Sequence, residues 1–246
     1  MQNVTSIAAS RLIAQQRALD VTADNIANSG TPGYKAVRVQ FSDWLSRQHN
    51  AATPRGGATL AFTQDRATWR DFQAGPIAHT GNPFDLALTN SGFFTVATAQ
   101  GPQLTRAGRF GLMPDGTIAD ATGNALLNTN GQPIQLSPTD TQISIAGDGT
   151  VSSANGQIAK IGVVQPDDLM QLRAVGGHRL ASGSSTTRVD APGLVQGSVE
   201  DSNVQPMLEM VRMMNDLREF QYVTQMVESE NQRQQSAIDK LTQRVA

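Results

Sequence analysis

The sequence predicts a mixed α and β fold: an N-terminal and a C-terminal helix that form a coiled-coil pair, and a central all-β domain between them. Three observations carry this expectation. Near the N-terminus, Ala8, Leu12, Gln15, Leu19, Thr22 and Ile26 recur at alternating steps of four and three. Near the C-terminus, Met210, Met213, Leu217, Phe220, Thr224, Val227, Asn231, Gln234, Ile238, Leu241 and Val245 do the same. That spacing is the seam of a coiled coil. The stretch between, roughly residues 37 to 200, is rich in Gly, Thr, Asn and Pro and reads as short strands.

The first helix is expected over residues 4 to about 28. Ser29-Gly30-Thr31-Pro32-Gly33 ends it, since Pro32 cannot extend a helix and Gly33 tolerates a positive φ that a Cβ resists. Tyr34 to Leu45 reads as a short helical or extended piece, and residues 46 to 63 as a long loop or extended excursion. Strands are expected at Phe84–Leu88 and Phe93–Ala97, joined as a hairpin at Asn90-Ser91-Gly92. Further turns fall at Pro114-Asp115-Gly116, Asn130-Gly131, Gly147-Asp148-Gly149 and Asn155-Gly156, a rhythm that favours a barrel or sandwich. Pro206 suits the first turn of a last helix of roughly 40 residues. The domain layout is therefore 1–36 with 202–246 as the helical pair, 37–75 with 192–201 as an extended connector, and 76–191 as the β domain.

Composition narrows the function classes. The 246 residues carry 19 basic against 21 acidic side chains, with no basic tail to attract nucleic acid or an anionic membrane. Lysine occurs only at 35, 160 and 240, so arginine, which suits bidentate contacts at subunit interfaces, supplies most of the positive charge. There is no cysteine, which is compatible with an oxidising compartment without proving one. No stretch approaches the roughly 20 apolar residues of a membrane span. Met1-Gln2-Asn3-Val4-Thr5 lacks the charged start and apolar run of a secretory signal.

Catalytic chemistry is not expected, nor a cofactor or a metal. His49, His79 and His178 stand far apart without ligand spacing, and neither a phosphate-cradling loop nor a nucleophile elbow is present. Gly176-Gly177-His178 and Gly183-Ser184-Ser185 read as turns, and Asp167-Asp168 as a solvated turn or a helix N-terminus. The seams are more informative. Both are terminal, and both contain polar members (Gln15, Thr22, Thr224, Asn231, Gln234) that lower stability while fixing register and partner number. Such helices are marginal alone and gain order when neighbours supply surface. The expected subunit interface comprises Ala8, Leu12, Leu19, Ile26, Met210, Met213, Leu217, Phe220, Val227, Ile238 and Leu241.

Three segments carry a resemblance. Asn25-Ile26-Ala27-Asn28-Ser29-Gly30-Thr31-Pro32-Gly33-Tyr34-Lys35 resembles the signature that ends the N-terminal helix of the bacterial flagellar axial proteins, the rod and hook family. Thr80 to Leu88, Gly92 to Val96 and Thr105-Arg106-Ala107-Gly108-Arg109-Phe110 resemble the start of that family's β domain. Val195 to Val204 resembles the approach to its C-terminal helix. The match spans nearly the whole chain, in order. Asn25, Asn28, Pro32, Gly33 and Tyr34 are the residues of the motif turn.

The resemblance implies a structural subunit of the flagellar basal-body rod. Its partners would be copies of itself, other rod proteins and the type III export apparatus, with no nucleic acid, membrane span or small-molecule substrate. It implies a location in the rod crossing the periplasm, reached without a cleaved signal peptide. Hook proteins are usually longer, and the Arg218-Glu219-Phe220-Gln221-Tyr222 segment favours a proximal over a distal rod subunit. The alternative from another class is a secreted β-rich adhesin or glycan-binding module. Trp44 and Trp69, the aromatic residues best suited to a sugar, fall outside the β domain and argue against it.

Overall fold

A computed structural model describes residues 2–48, 58–176 and 178–242, without the side chains of 2–6, 41–48, 58–67, 238, 241 and 242. The order is an N-terminal helix, a β-rich middle and a C-terminal helix. The chain divides into two compact units.

The first unit takes Met1–Ala27, Val37–Asp71 and Gln205–Ala246. Helix α1 runs Gln2–Ala27 and helix α2 runs Pro206–Thr242, with Pro206 at the start, where its missing N–H costs nothing. Of the two forms expected for residues 34–45 and 46–63, the extended one is found where these residues are described, as a long antiparallel hairpin, while 49–57 lie outside the described residues. Strand β1 (Val37–Gln48) pairs with β2 (Ala58–Arg70) from Val37↔Arg70 to Gln48↔Ala58. This hairpin groups with the helices rather than standing apart as a connector.

α1 and α2 pack together, with Gln15 Nε2 donating to Glu219 Oε2 at 3.2 Å and Arg11 3.7 Å from the same carboxylate. α1 turns Ala8, Gln15 and Thr22 into full burial and Leu12, Leu19 and Ile26 into partial burial. On α2 the inward row is only half-buried: Met213, Asp216, Phe220, Val223, Val227 and Gln234.

The second unit takes Asn28–Ala36 and Phe72–Val204. Its main sheet has six antiparallel strands in the order Leu172–Gly176, Arg179–Ser182, Gly101–Thr105, Phe93–Thr98, Val163–Pro166 and Thr186–Arg188. A three-stranded sheet holds Gly156–Lys160, Thr150–Ser153 and Ser144–Ile145, and the remaining strands pair in twos. Most of these small sheets of the second unit share one apolar core around Leu86, Phe94, Ile118, Leu126, Val151 and Ile161. The Phe94 and Phe110 rings meet edge to face at 5.4 Å within it.

The hairpin expected at Asn90-Ser91-Gly92 does not form. Leu86–Leu88 pairs with Leu194–Gln196, and Phe93–Thr98 pairs with Gly101–Thr105 and Val163–Pro166. The physical reason is Arg106. Its guanidinium donates to the carbonyls of Leu88 (3.2 Å), Asn90 (2.9 Å) and Gly92, so the loop wraps a charged side chain instead of folding back on itself.

Candidate functional site

In the second unit the three motif segments meet at a buried ion cluster. Glu200 is 1 % exposed. Its Oε1 accepts from Lys35 Nζ at 2.5 Å and from the Gly75 N–H at 2.9 Å, and its Oε2 accepts from Arg106 Nε at 2.5 Å. Lys35 also donates to the Gln73 carbonyl at 2.7 Å, and Arg106 spends its remaining donors on the three loop carbonyls. Both carboxylate oxygens and both cations are thus paired and hydrogen-bonded, the condition under which buried charges are tolerated. Burial pushes the Glu200 carboxyl upward. The Lys35 hydrogen bond, the Arg106 charge and the Gly75 N–H outweigh it and hold the group below the usual carboxylate range. A depressed carboxylate stabilises the fold above its unfolded pKa, and that contribution disappears as the pH falls through the folded value.

The backbone at this cluster permits no bulk. Gly33 has φ +71°, and a Cβ there would sit 2.3 Å from the Ala107 nitrogen. Its own N–H donates to the Glu200 carbonyl at 2.7 Å. At Gly75 a Cβ would lie 2.0 Å from the Asp201 oxygen, and at Gly108 it would strike the Leu86 carbonyl. The turn before Gly33 closes through Thr31 N–H to the Asn28 carbonyl at 3.1 Å and Tyr34 N–H to the Thr31 carbonyl at 3.2 Å. Tyr34 is buried with Ala36 and Val204, and its ring meets His178 edge to face at 5.9 Å.

Two asparagines substitute for strand partners. Asn25, in the first unit, accepts from the Val37 N–H and donates to the Val37 carbonyl, both at 2.9 Å, which fixes the start of β1 against the end of α1. Asn203, in the second, accepts from Ala36 N–H at 2.8 Å and donates to Gln73 carbonyl at 3.2 Å. Either amide satisfies backbone groups that would otherwise be buried without partners.

In the first unit, Glu209 in the opening turn of α2 is buried and accepts from Arg38 at 2.8 Å and Arg212 at 2.7 Å. Its second oxygen and the Gln15 Oε1 are buried without a hydrogen-bond partner. Asp216 sits in the half-buried row. Burial, then the nearby Glu219 charge, raise its carboxyl above the ordinary value despite Arg212.

Among the expected interface residues, Ala8, Leu12, Leu19 and Ile26 line the inward side of α1, and Met213, Phe220 and Val227 that of α2. Met210 and Leu217 do not join them: both are exposed, Leu217 at 43 %. The side chains of Ile238 and Leu241, and the whole of Val245, lie outside the described residues. α2 also carries a second apolar surface, formed by Met210 with Met207, Val211 and Met214, which the seam spacing does not include.

Lys35, Arg106 and Glu200 are the members the sequence reading missed. All three stand inside the motif segments, and the signal was there: a chain with three lysines places one between Tyr34 and Ala36 in an otherwise uncharged run. The other reactive-looking stretches are structural. Asp168 caps a short 3₁₀ turn by accepting from Met170 N–H at 2.8 Å, and Asp167 accepts from Ser185 and Thr187. A cavity of about 160 Å³ lies beside the ion cluster, lined by Lys35, Phe72, Phe93, Arg106 and Leu169. Both of its cations are committed to the Glu200 cluster. Among the described residues no three potential ligands gather as a metal site, and no helix is long and apolar enough to cross a membrane.

Three family models match in chain order. Residues 6–35 match a flagella basal body rod protein model, 87–153 a flagellar hook protein FlgE/F/G D1 domain model, and 195–240 a flagellar basal body rod FlgEFG protein C-terminal model. The chain is 31% identical over 243 residues to the flagellar basal-body rod protein FlgF of Caulobacter vibrioides, covering 98% of both chains. It is 32% identical to FlgF of Mesorhizobium japonicum, over 90% of each. The flagellar basal-body rod protein FlgG of Bacillus subtilis is 33% identical over 84% of this chain and 86% of its own. The motif segments, their order and this full-length similarity place the chain in the flagellar basal-body rod protein family, on the FlgF-like side of it.

Proposed function

We infer that the protein is a structural subunit of the bacterial flagellar basal-body rod and works by packing rather than by catalysis. The observation that carries the reading is similarity over 98% of the length to a named rod protein, with the three motif segments in the same order. α1 and α2 act as a coiled-coil pair, and many such pairs lie side by side to build a tube that transmits torque. Of the expected seam residues, Ala8, Leu12, Leu19, Ile26, Met213, Phe220 and Val227 join the two helices within a subunit, Met210 and Leu217, exposed in the single chain, are left to meet neighbours, and Ile238 and Leu241 continue the spacing. The β unit braces neighbouring subunits.

Partners are further copies and other rod proteins. The subunit crosses the inner membrane by the type III export apparatus, without a cleaved signal peptide, and acts in the periplasm. A proximal position is supported by the relatives named FlgF, whereas those named FlgG keep the distal rod as the second reading.

Leu217→Asp tests the reading. Because Leu217 is exposed in the single chain, the isolated variant keeps its secondary structure and melting temperature. In an assembly, a desolvated unpaired carboxylate costs several kcal/mol per subunit, so incorporation and motility are lost. A normally motile strain carrying Leu217→Asp contradicts the reading.

A further inference from the structure

The chain contains two Asn-Gly pairs, Asn130-Gly131 and Asn155-Gly156, both in exposed turns of the β unit. An asparagine before glycine carries a reaction of its own: the glycine amide nitrogen, which no Cβ shields, can attack the asparagine side-chain carbon. A Cβ at either glycine would meet nothing within 4 Å, so neither nitrogen is screened by its surroundings. The two asparagines are held differently. Asn155 Nδ2 donates to the Thr139 carbonyl and to Asp140 Oδ1, both at 3.1 Å, and its N–H donates to Ser153 Oγ at 3.2 Å. Asp140 is itself fixed by the Ser137 N–H and by Ser153 Oγ, both at 2.8 Å. Asn130 is anchored through its main chain alone. Its N–H donates to Asn128 Oδ1 at 2.8 Å, and the next N–H, that of Gly131, donates to the Asn128 carbonyl at 3.0 Å. Its carboxamide makes no hydrogen bond with the described residues.

We propose that Asn130-Gly131 is a self-modifying site, at which the β unit converts asparagine into aspartate and isoaspartate, and that the Asp140 tether holds Asn155-Gly156 back from the same reaction. Water is the only co-reactant. The Gly131 N–H first leaves the Asn128 carbonyl, an opening of one exposed turn. The nitrogen then attacks Asn130 Cγ and forms a C–N bond. Its proton passes through a base to the departing Nδ2 group, the Cγ–Nδ2 bond breaks, and ammonia leaves a cyclic succinimide. Water adds to either ring carbonyl and opens the ring to aspartate or to isoaspartate. At Asn155 the carboxamide must first swing away from Thr139 and Asp140, so further hydrogen bonds oppose the attack. The products matter to the fold. Aspartate adds a negative charge to the turn. Isoaspartate also adds a methylene to the main chain between Leu127 and Ile134, both buried. This chemistry is independent of the rod reading.

The test holds full-length protein at mildly alkaline pH, native and in guanidinium. Cleavage before aspartate places Asn130 in peptide 120–139 and Asn155 in peptide 148–166, and mass spectrometry follows the conversion of each. In guanidinium both pairs should convert at similar rates. In the native protein Asn130 should convert several-fold faster than Asn155. Asp140→Ala should raise the native Asn155 rate toward that of Asn130 and leave Asn130 unchanged. Native conversion of Asn155 as fast as that of Asn130 would overturn the proposal. So would a native Asn130 that stays intact while the denatured chain converts, because the Asn128 hydrogen bonds would then protect it. An Asn155 rate unmoved by Asp140→Ala, in a variant that keeps the wild-type dichroism spectrum, would refute the tether.

Discussion

The two units of this chain solve the same physical problem in opposite ways. The β unit closes on itself. Its core side chains are almost wholly buried, and its buried ion cluster, Glu200 with Lys35 and Arg106, is hydrogen-bonded from within. The helical unit does not close. The inward row of α2 is half-buried, and the ridge of Met207, Met210 and Met214 faces outward. The contrast separates a part with a closed core from a part that leaves apolar surface exposed. The proposed role in a rod would use both: a body folded by itself, and an edge with surface to offer neighbours.

Arg106→Ala should give the largest effect. It leaves Glu200 with half its counter-charge and strips three loop carbonyls of their donor, and breaking a buried pair from one side costs about 3–5 kcal/mol. Thermal unfolding of the β unit, followed by tryptophan-independent near-ultraviolet dichroism, should shift down by many degrees, with the helical signal at low temperature little changed. A melting temperature within error of wild type would show that the cluster is ornamental and weaken the contrast at its strongest point.

Gly33 comes next. Valine at this position must adopt φ +71° and drive its Cβ into the Ala107 backbone, and alanine meets the same clash with a smaller side chain. Both variants should be destabilised by more than the ~1 kcal/mol that positive φ alone costs, valine the more severely. Chemical denaturation measures this, and a wild-type midpoint for Gly33→Ala would mean that the chain crossing is permissive.

A smaller effect of opposite sign is expected in the other unit. The Asp216 carboxyl is raised by burial and by Glu219, so its folded pKa lies above the unfolded one. A raised group contributes stability that is complete below the unfolded pKa and is lost as the pH rises through the folded pKa. At neutral pH the charged form is therefore penalised, and Asp216→Asn should modestly stabilise the helices there, with the advantage vanishing in mild acid. Helical melts at the two pH values decide it.

The helices were legible because a seam writes itself as a spacing of three and four, and no other element competes for that period. The exposed ridge was harder to see: Met210 and Leu217 fit the seam by spacing, while burial places them outside the inward row. The long hairpin was obscured by one residue. Pairing shifts between Gln40/Ala67 and Phe41/Asp65, so Arg66 is extra on β2 and breaks its period of two, leaving Leu60 and Phe62 on even positions and Trp69 on an odd one. The false hairpin at residues 90–92 had good local chemistry and was overruled by a side chain fourteen residues away, Arg106 binding the Gly92 carbonyl. Local signals report periodicity and turns; a buried charge that organises three distant segments leaves only its isolated members in the sequence.

Hydrogen exchange on the free monomer and on its assembled form tests the central claim most directly. In the monomer, amides of the six-stranded sheet should exchange only by global unfolding of the β unit, while those of α1 and α2 should exchange orders of magnitude faster through local opening. On assembly, the helical amides should slow to the level of the sheet, and the sheet itself should change little. Helices as protected as the sheet in the free monomer would contradict the account, because their stability would then owe nothing to neighbours.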